Sequence, residues 1–358
     1  MAKIGVIVSK FSFVTRDVFH ALRKASDEND HVLVCVCSAD RSKDYTMPFN
    51  KHDRADNIIK AIGVNDGLEK EDFSICYIND NPVNNRQWIT DIHSKLNERL
   101  KALYVDRNNL VINVYVSDES NHRYENIFPE HMFTVHKVTM GNNEELLKDF
   151  YGMEDISSYI APNMCGLYDA YRKGEWYDTP RLTSEMNSGF DTLKAEYEAV
   201  KFQNEQWSVA PFPPTFVTTD AVVYYKGYVL VVKRKGVVGN DLYCLPGGFL
   251  PQRDTVEEGI VRNLKKDTNI QVHENILKSN VRKVKTYDDP IRSLRGRIIT
   301  NAGLIELDNV TTLSGFPKVR KTKSQKEHAG WFSLFEIENM RDMFFEDHFY
   351  IIKDLLSE

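Results

Sequence analysis

LPGGFLPQRDTVEEGIVRNLKKDTN, residues Leu245–Asn269, carries the most informative spacing in this chain. Pro246-Gly247-Gly248 punctuates an apolar strand, where glycine lets the backbone bend or approach another segment closely. Thr255–Lys266 then reads as a helix. On that helix Asn263, Lys266 and Asp267 lie three and four residues apart and therefore share a face. The face carries one amide, one ammonium and one carboxylate.

Outward from this stretch the pattern is β-rich. Phe216–Tyr225 and Tyr228–Val232 are β-branched runs separated by Lys226-Gly227, a two-residue hairpin signal. Val281–Thr286 and Arg297–Leu307 follow as strands, and Glu336–Met340 and Glu346–Leu356 as closing helices. Strands with interposed helices point to a compact α+β module. Upstream the grammar differs. Ile4–Val8, Val32–Cys37, Phe73–Ile78, Leu110–Val116 and a weaker Phe133–Val138 are short apolar runs. Arg16–Asp27, Asp53–Ile62 and Arg86–Leu103 lie between them with helical spacing. Runs apolar on both faces and alternating with helices indicate a doubly wound parallel sheet, which binds ligands at the carboxyl ends of its strands, here after Val8. From Glu185 the text turns helical to about Gln206, and Pro211–Pro214 cannot continue a helix. The expected division is a doubly wound α/β domain over 1–184, a helical joint and Pro-rich connector over 185–210, and an α+β domain over 211–358.

A length of 358 residues suits about two domains of roughly 150 residues each. With 46 Lys+Arg against 52 Asp+Glu the net charge is -6, which excludes a uniformly basic, polymer-coating protein. The 42% apolar and 11% aromatic content argues for packed cores. No run approaches the ~18 apolar residues of a membrane span. The opening MAKIGVIVSKF is too short in apolar residues for a secretory leader. The five cysteines form no CxxC pair and sit mostly in apolar segments, as reduced core residues do. A cytoplasmic protein, with a homo-oligomer as one option, is the expectation.

Gly248, five residues, Asp254, seven residues, Arg262 and then Leu264 resemble the Nudix box, G-x5-E-x7-R-E-U-x-E-E-x-G-U with U a bulky aliphatic. The resemblance implies a helix whose glutamates hold Mg²⁺ or Mn²⁺, and the metal would neutralise a pyrophosphate and activate water. In this chain Asp254 replaces the first glutamate, and Asn263, Lys266 and Asp267 replace the three metal-facing ones. Asn269 replaces the closing glycine. Lys266 puts an ammonium where a divalent cation belongs, so Coulomb repulsion disfavours the metal. What the resemblance leaves as catalytic candidates are Asp254, Arg262 and Asp267, with Asp267 and Glu258 as ligands if a metal binds. Glu257 is a further nearby acid.

The likeness extends along the chain. WSVAPFPPTFVTTDAVV (207–223), Arg292-Ser-Leu-Arg295-Gly-Arg297-Ile-Ile-Thr300 and Phe344-Phe-Glu-Asp-His348 resemble the Nudix half of bifunctional nicotinamide-mononucleotide adenylyltransferase/Nudix hydrolases. That family makes NAD in its first domain and cleaves ADP-ribose in its second. Met47-Pro48-Phe49 with Asp53-Arg54, Asn79-Asp80 with Trp88, and Phe128-Pro129 resemble its first half. The family's G-R-F-Q-P-F-H-x-G-H loop, whose histidines stabilise charge during adenylyl transfer, corresponds to Ser9–Val18. Lys10 and Phe11 fit, Thr15 and Val18 replace the histidines, and His20 lies two residues beyond. The family's I-S-x-T-x-x-R arginine would fall near Tyr168 within Ile160–Tyr171, and no arginine is there. Trp88 reads either as a ring that stacks nicotinamide or as a core aromatic. Lys10 and Arg16 read either as phosphate contacts or as loop cations.

These substitutions lead to the expectation of an NAD-metabolism homologue impaired in both domains. It would act by binding ADP-ribose, NMN, NAD or an anionic macromolecule, without a cofactor. Gly247, Gly248, Lys266, Arg292, Arg295, Arg297, Lys10 and Trp88 are the expected ligand contacts. The alternative is an active Nudix pyrophosphatase using Mg²⁺ or Mn²⁺ beside a vestigial adenylyltransferase domain. Lys278–Lys326 holds twelve basic and four acidic residues, ending in Lys318, Arg320, Lys321, Lys323 and Lys326. That excess suggests a basic surface for an acidic protein or for nucleic acid. No aromatic residues interleave Lys318–Lys326 itself, so nucleic acid is the weaker of the two.

Overall fold

The computed structural model describes residues 2–63, 68–102, 110–117, 127–128, 132–140, 144–174, 189–310, 315–320 and 326–357. Its contacts divide the chain into two units. One comprises Met1–Asp80 and Asn84–Lys194, and the other comprises Asn81–Val83 and Ala195–Glu358.

In the first unit β1 (Ala2–Ser9), β2 (His31–Val36), β3 (Phe73–Tyr77), β4 (Leu110–Ser117) and β5 (Thr134–Val138) form a sheet in the order β3-β2-β1-β4-β5. Every pairing is parallel. Both faces of β1 and β2 are covered, as continuous Val/Ile runs require. Ile4, Val6 and Val8 pack with Trp88, Ile92 and Leu96 of α3 (Asn85–Ala102). Ile7, Val32 and Val34 are fully buried on the alternate positions. Helix α1 (Arg16–Glu28) starts at Thr15, whose hydroxyl accepts from the Val18 N–H at 3.1 Å. Helix α2 (Lys51–Ile62) starts at a reciprocal Asn50/Asp53 capping box. Two helices that periodicity did not resolve, α4 (Glu144–Gly152) and α5 (Cys165–Lys173), are short aromatic segments whose pattern comes from tertiary packing. The order of the strands switches direction beside β1, so the segment after Ser9 lies where such sheets take ligands.

Helix α6 (Gly189–Trp207) contains the boundary between the units. Phe190 packs on Phe150, Tyr151 and Tyr171 of the first unit. Glu196 accepts from the Gly239 N–H of the second at 2.8 Å. The Pro211–Pro214 connector is irregular.

The second unit is a mixed sheet, β10-β11-β6-β7-β12, with β8 on β7 and β9 on β6. Its strands are β6 (Thr215–Tyr225), β7 (Tyr228–Arg234), β8 (Tyr243–Cys244), β9 (Gly247–Phe249), β10 (Val281–Tyr287), β11 (Arg297–Glu306) and β12 (Lys326–Ser333). Lys226 and Gly227 both have positive φ (47° and 86°), the geometry of the two-residue hairpin expected there. Helix α7 (Val256–Thr268) packs Ile260, Val261 and Leu264 on the Ala221/Val223 face. Helix α10 (His348–Leu356) packs on the Val222/Ala302 face with Phe344 and Phe349. Helices α8 (Glu274–Ser279) and α9 (Leu334–Asn339) are short connections. The Lys318–Lys326 run, expected as a basic loop, ends in strand instead: Lys326 opens β12 in register with Arg234. That strand, KEHAGWFS, has no β-branched residue and is held by its ladder to β7.

All five cysteines are free, and Cys35, Cys37, Cys76 and Cys244 are buried. No helix among the described residues is long and apolar enough to cross a membrane.

Candidate functional site

Helix α7 starts at a reciprocal Thr255/Glu258 capping box. The Thr255 hydroxyl caps the Glu258 N–H, and the Glu258 carboxylate accepts from the Thr255 N–H (3.0 Å) and hydroxyl (2.9 Å). These bonds hold the Glu258 carboxyl below its usual range. Asn269 ends the helix in the left-handed region at φ 44°, which asparagine tolerates better than other non-glycine residues. Asp254 is engaged by the Arg262 guanidinium, through Nε and, at 2.9 Å, through a terminal nitrogen. This pair staples the loop before α7 to its middle. Glu258 is the capping partner of Thr255.

Strand β9 lies between β6 and α7. Gly247 pairs with Asp220 so closely that a Cβ would sit 1.9 Å from the Asp220 carboxylate and 2.6 Å from the Thr219 carbonyl. Only glycine fits. Gly247→Ala is therefore expected to separate β9 from β6 and lower stability by about 1–3 kcal/mol or more, read as a fall in the urea midpoint at unchanged m-value. The Gly247 N–H donates to the buried Asp267 at 3.0 Å. Asp220, also buried, accepts from the Thr300 hydroxyl at 2.6 Å. Two carboxylates, one foreseen and one missed in the sequence, thus flank one glycine. Strand alternation alone would have buried Asp220 without giving it a role.

Asn263 is buried, and its amide nitrogen donates to the Thr219 hydroxyl (2.9 Å) and the Gly248 carbonyl (3.0 Å), with the Phe249 carbonyl at 3.4 Å. A carboxylate at this position would face those carbonyl oxygens and be repelled unless a cation lay between them. The amide supplies the positive hydrogens directly. Lys266 is exposed on the same helix, and the described residues contain no cluster of three His, Cys, Asp or Glu side chains able to hold a metal ion. The donor set present does not fit a Nudix magnesium site.

Arg292 and Arg295, expected as ligand contacts, have acidic partners within the fold. Arg292 is buried and grips Asp347 through two bonds of 2.9 and 2.7 Å. Arg295 binds Glu346 at 3.2 Å and lies 5.3 Å from the Phe345 ring centroid. Burial raises the Asp347 carboxyl to about 6 against the pull of Arg292. The Leu245 N–H donates to His348 Nδ1 at 3.1 Å. The 292–300 and 344–348 segments are therefore one internal brace beneath the Leu245–Gly248 turn. Arg297 donates to the Asp288 carbonyl.

In the first unit the β1–α1 turn is filled by its own side chains. Phe13 meets Phe49, Phe150 and Tyr168 edge-on at 5.9, 5.0 and 5.5 Å. The Tyr168 hydroxyl accepts the Val14 N–H at 2.9 Å, and burial pushes that phenol up. Thr15 and Val18 are buried, and His20 is exposed on the outer face. Arg16 donates to the Ser157 carbonyl. Lys10 is half-buried, its amine lowered by burial and then by Arg41. Trp88 is 2% exposed among Val8, Cys37 and Ile78, which leaves no open ring face for a base in this conformation. A residue whose weight the sequence did not reveal is Arg54. It is fully buried, donates to the Lys10, Cys37 and Ser38 carbonyls, and is lowered to about 10 by burial.

Lys318 and Arg320 are exposed beside the end of α7. Lys321, Lys323 and the side chain of Lys326 lie outside the described residues.

No known protein-family profile matches the sequence. A curated ADP-ribose pyrophosphatase of Methanocaldococcus jannaschii is 28% identical over 144 residues, 39% of this chain and 72% of that protein. Two solved structures of a bifunctional NMN adenylyltransferase/ADP-ribose pyrophosphatase from Francisella tularensis superpose on the whole chain. One, complexed with AMP and a manganese ion, is 27% identical with a TM-score of 0.85. The other is 28% identical with a TM-score of 0.87. Each match covers 100% of this chain and 99% of the other.

Proposed function

This chain has the architecture of the bifunctional NMN adenylyltransferase/ADP-ribose pyrophosphatases from end to end, and from that premise we propose that it binds an NAD-related nucleotide while turnover is impaired in both halves. The nucleotidyltransferase-like domain is taken as 1–184, the joint as 185–210 and the Nudix domain as 211–358. The observation that carries the reading is Asn263, whose amide satisfies the Gly248 carbonyl at 3.0 Å where metal chemistry needs an anionic ligand. Near it the exposed Lys266 ammonium offers a diphosphate the charge that a divalent ion would otherwise supply. In the first unit, the apolar filling around Phe13 and the absence of the paired histidines remove the groups that stabilise a transferring phosphoryl.

A second reading is favoured by Asp220 and Asp267, which meet at Gly247. Together they form the core of a displaced site for Mn²⁺ in an ADP-ribose pyrophosphatase. One experiment separates the two. The full chain is titrated calorimetrically with ADP-ribose in EDTA and in excess Mg²⁺ or Mn²⁺, and the products are then resolved by chromatography. Binding in EDTA without AMP release is the expected result. Metal-dependent AMP release that Asp267→Ala abolishes would replace the binding reading with the hydrolytic one.

A further inference from the structure

Residues 315–320 cross the second unit as a strap pinned at four points. The Gly315 carbonyl accepts from the Tyr225 hydroxyl (3.1 Å), and the Pro317 carbonyl accepts from Trp331 Nε1 (3.0 Å). The Lys318 carbonyl accepts from the Gln271 N–H (2.8 Å), and the Arg320 N–H donates to the Thr268 carbonyl (3.1 Å). Val319 packs inward on the α7 core, which turns Lys318 and Arg320 outward. At the far end the strap reaches the last turn of α7, which carries Lys265 and the exposed Lys266. Among the described residues none of these four cations is in an ion pair. Of the α7 carboxylates, Glu257 and Glu258 lie in its opposite, first turn, and Asp267, in the same last turn, is buried and accepts from the Gly247 N–H.

At the near end the strap carries Phe316, 38% exposed. Its ring contacts Tyr228 at 4.7 Å, Tyr225 at 5.7 Å and Trp331 at 5.8 Å. Exposed Lys226 lies 5.2 Å over the Tyr225 ring, and its backbone N–H donates to Asp308, the acid in contact with this end. The fold thus sets aromatic rings and cations in one row that the linear sequence keeps apart: Lys226, Tyr228 and Phe316, then Lys318 and Arg320, then Lys265 and Lys266.

We propose that this row is a binding surface for single-stranded nucleic acid. Cations with no partner acids suit a phosphate backbone, which they bind by releasing counterions. A stable protein interface would instead centre on a charge-depleted apolar core, and none lies along Lys318–Arg320. The part-exposed Phe316 ring gives an unpaired base a stacking face that a duplex withholds.

The test uses the full chain and fluorescence anisotropy of a labelled oligo(dT) of about 12 nucleotides. Affinity is expected to fall steeply between about 50 and 200 mM salt. Lys318→Gln with Arg320→Gln, both on the surface and harmless to the fold, is expected to weaken the oligonucleotide about tenfold. Phe316→Ala is expected to weaken it about five- to tenfold while leaving heparin binding unchanged. Unaltered oligonucleotide binding in the charge variant would overturn the proposal. So would polyglutamate binding as tightly as the oligonucleotide, which would assign the row to an acidic protein. Duplex binding equal to single-strand binding and insensitive to Phe316→Ala would also overturn it.

Discussion

Arg292→Met is expected to lower the stability of the second unit by about 3–5 kcal/mol, the loss seen when one partner of a buried ion pair is removed. Arg292 and Asp347 are 7% and 5% exposed and joined by two hydrogen bonds. Removing the guanidinium leaves a carboxylate in a site that already raises it to about 6. Glu346 and Asp220 add their repulsion to that carboxylate. The companion Arg292→Met/Asp347→Leu variant is expected to recover most of the loss, because an apolar pair of similar volume fills the space without a charge to desolvate. Urea unfolding of both variants measures this. Equal destabilisation in single and double variants would mean that the pair acts through shape and not charge. The same series tests the Leu245–Gly248 turn, since His348, next to Asp347, holds the Leu245 N–H.

Asn263→Glu together with Lys266→Glu is expected to convert α7 into a metal-dependent helix. Without metal, the new carboxylate at 263 faces the Gly248 and Phe249 carbonyls, at a cost of about 3 kcal/mol. Mg²⁺ at about a hundred times its Kd returns about 2.7 kcal/mol, roughly a 5–10 °C rise in Tm for a unit of this size. The parent chain is expected to show no such rise. A scan with and without Mg²⁺ decides it, and a double variant indifferent to metal would mean that α7 does not present these positions to the Gly248 turn. Because the readout is thermal, it is independent of whether the restored site hydrolyses anything.

Much of this molecule was legible in its pattern. Parallel-sheet runs buried on both faces, helices between them and the Lys226-Gly227 hairpin all follow from short-range rules, and all stand near the expected residues. Where reading failed, the determinant was remote. The KEHAGWFS segment becomes β12 because β7 offers it a ladder. Helices α4 and α5 owe their amphipathic faces to Phe13, Phe49 and Phe190. Trp88 had two readings that spacing could not separate, and the structure places the ring in the core.

At the candidate site, residue identity already carried the chemistry. An amide, an ammonium and one carboxylate on a helix face attract a divalent cation less than three carboxylates would, because charge is a property of the side chain wherever it lies. What each charged group does depends on its partners, and partners come from distant parts of the chain. Arg292 and Arg295 turned inward to Asp347 and Glu346 across a gap of about fifty residues. Asp254 was taken by Arg262, and Asp220 arrived beside Gly247 through strand register. A buried charge must find its complement in space, and adjacency in sequence says little about which one it will find.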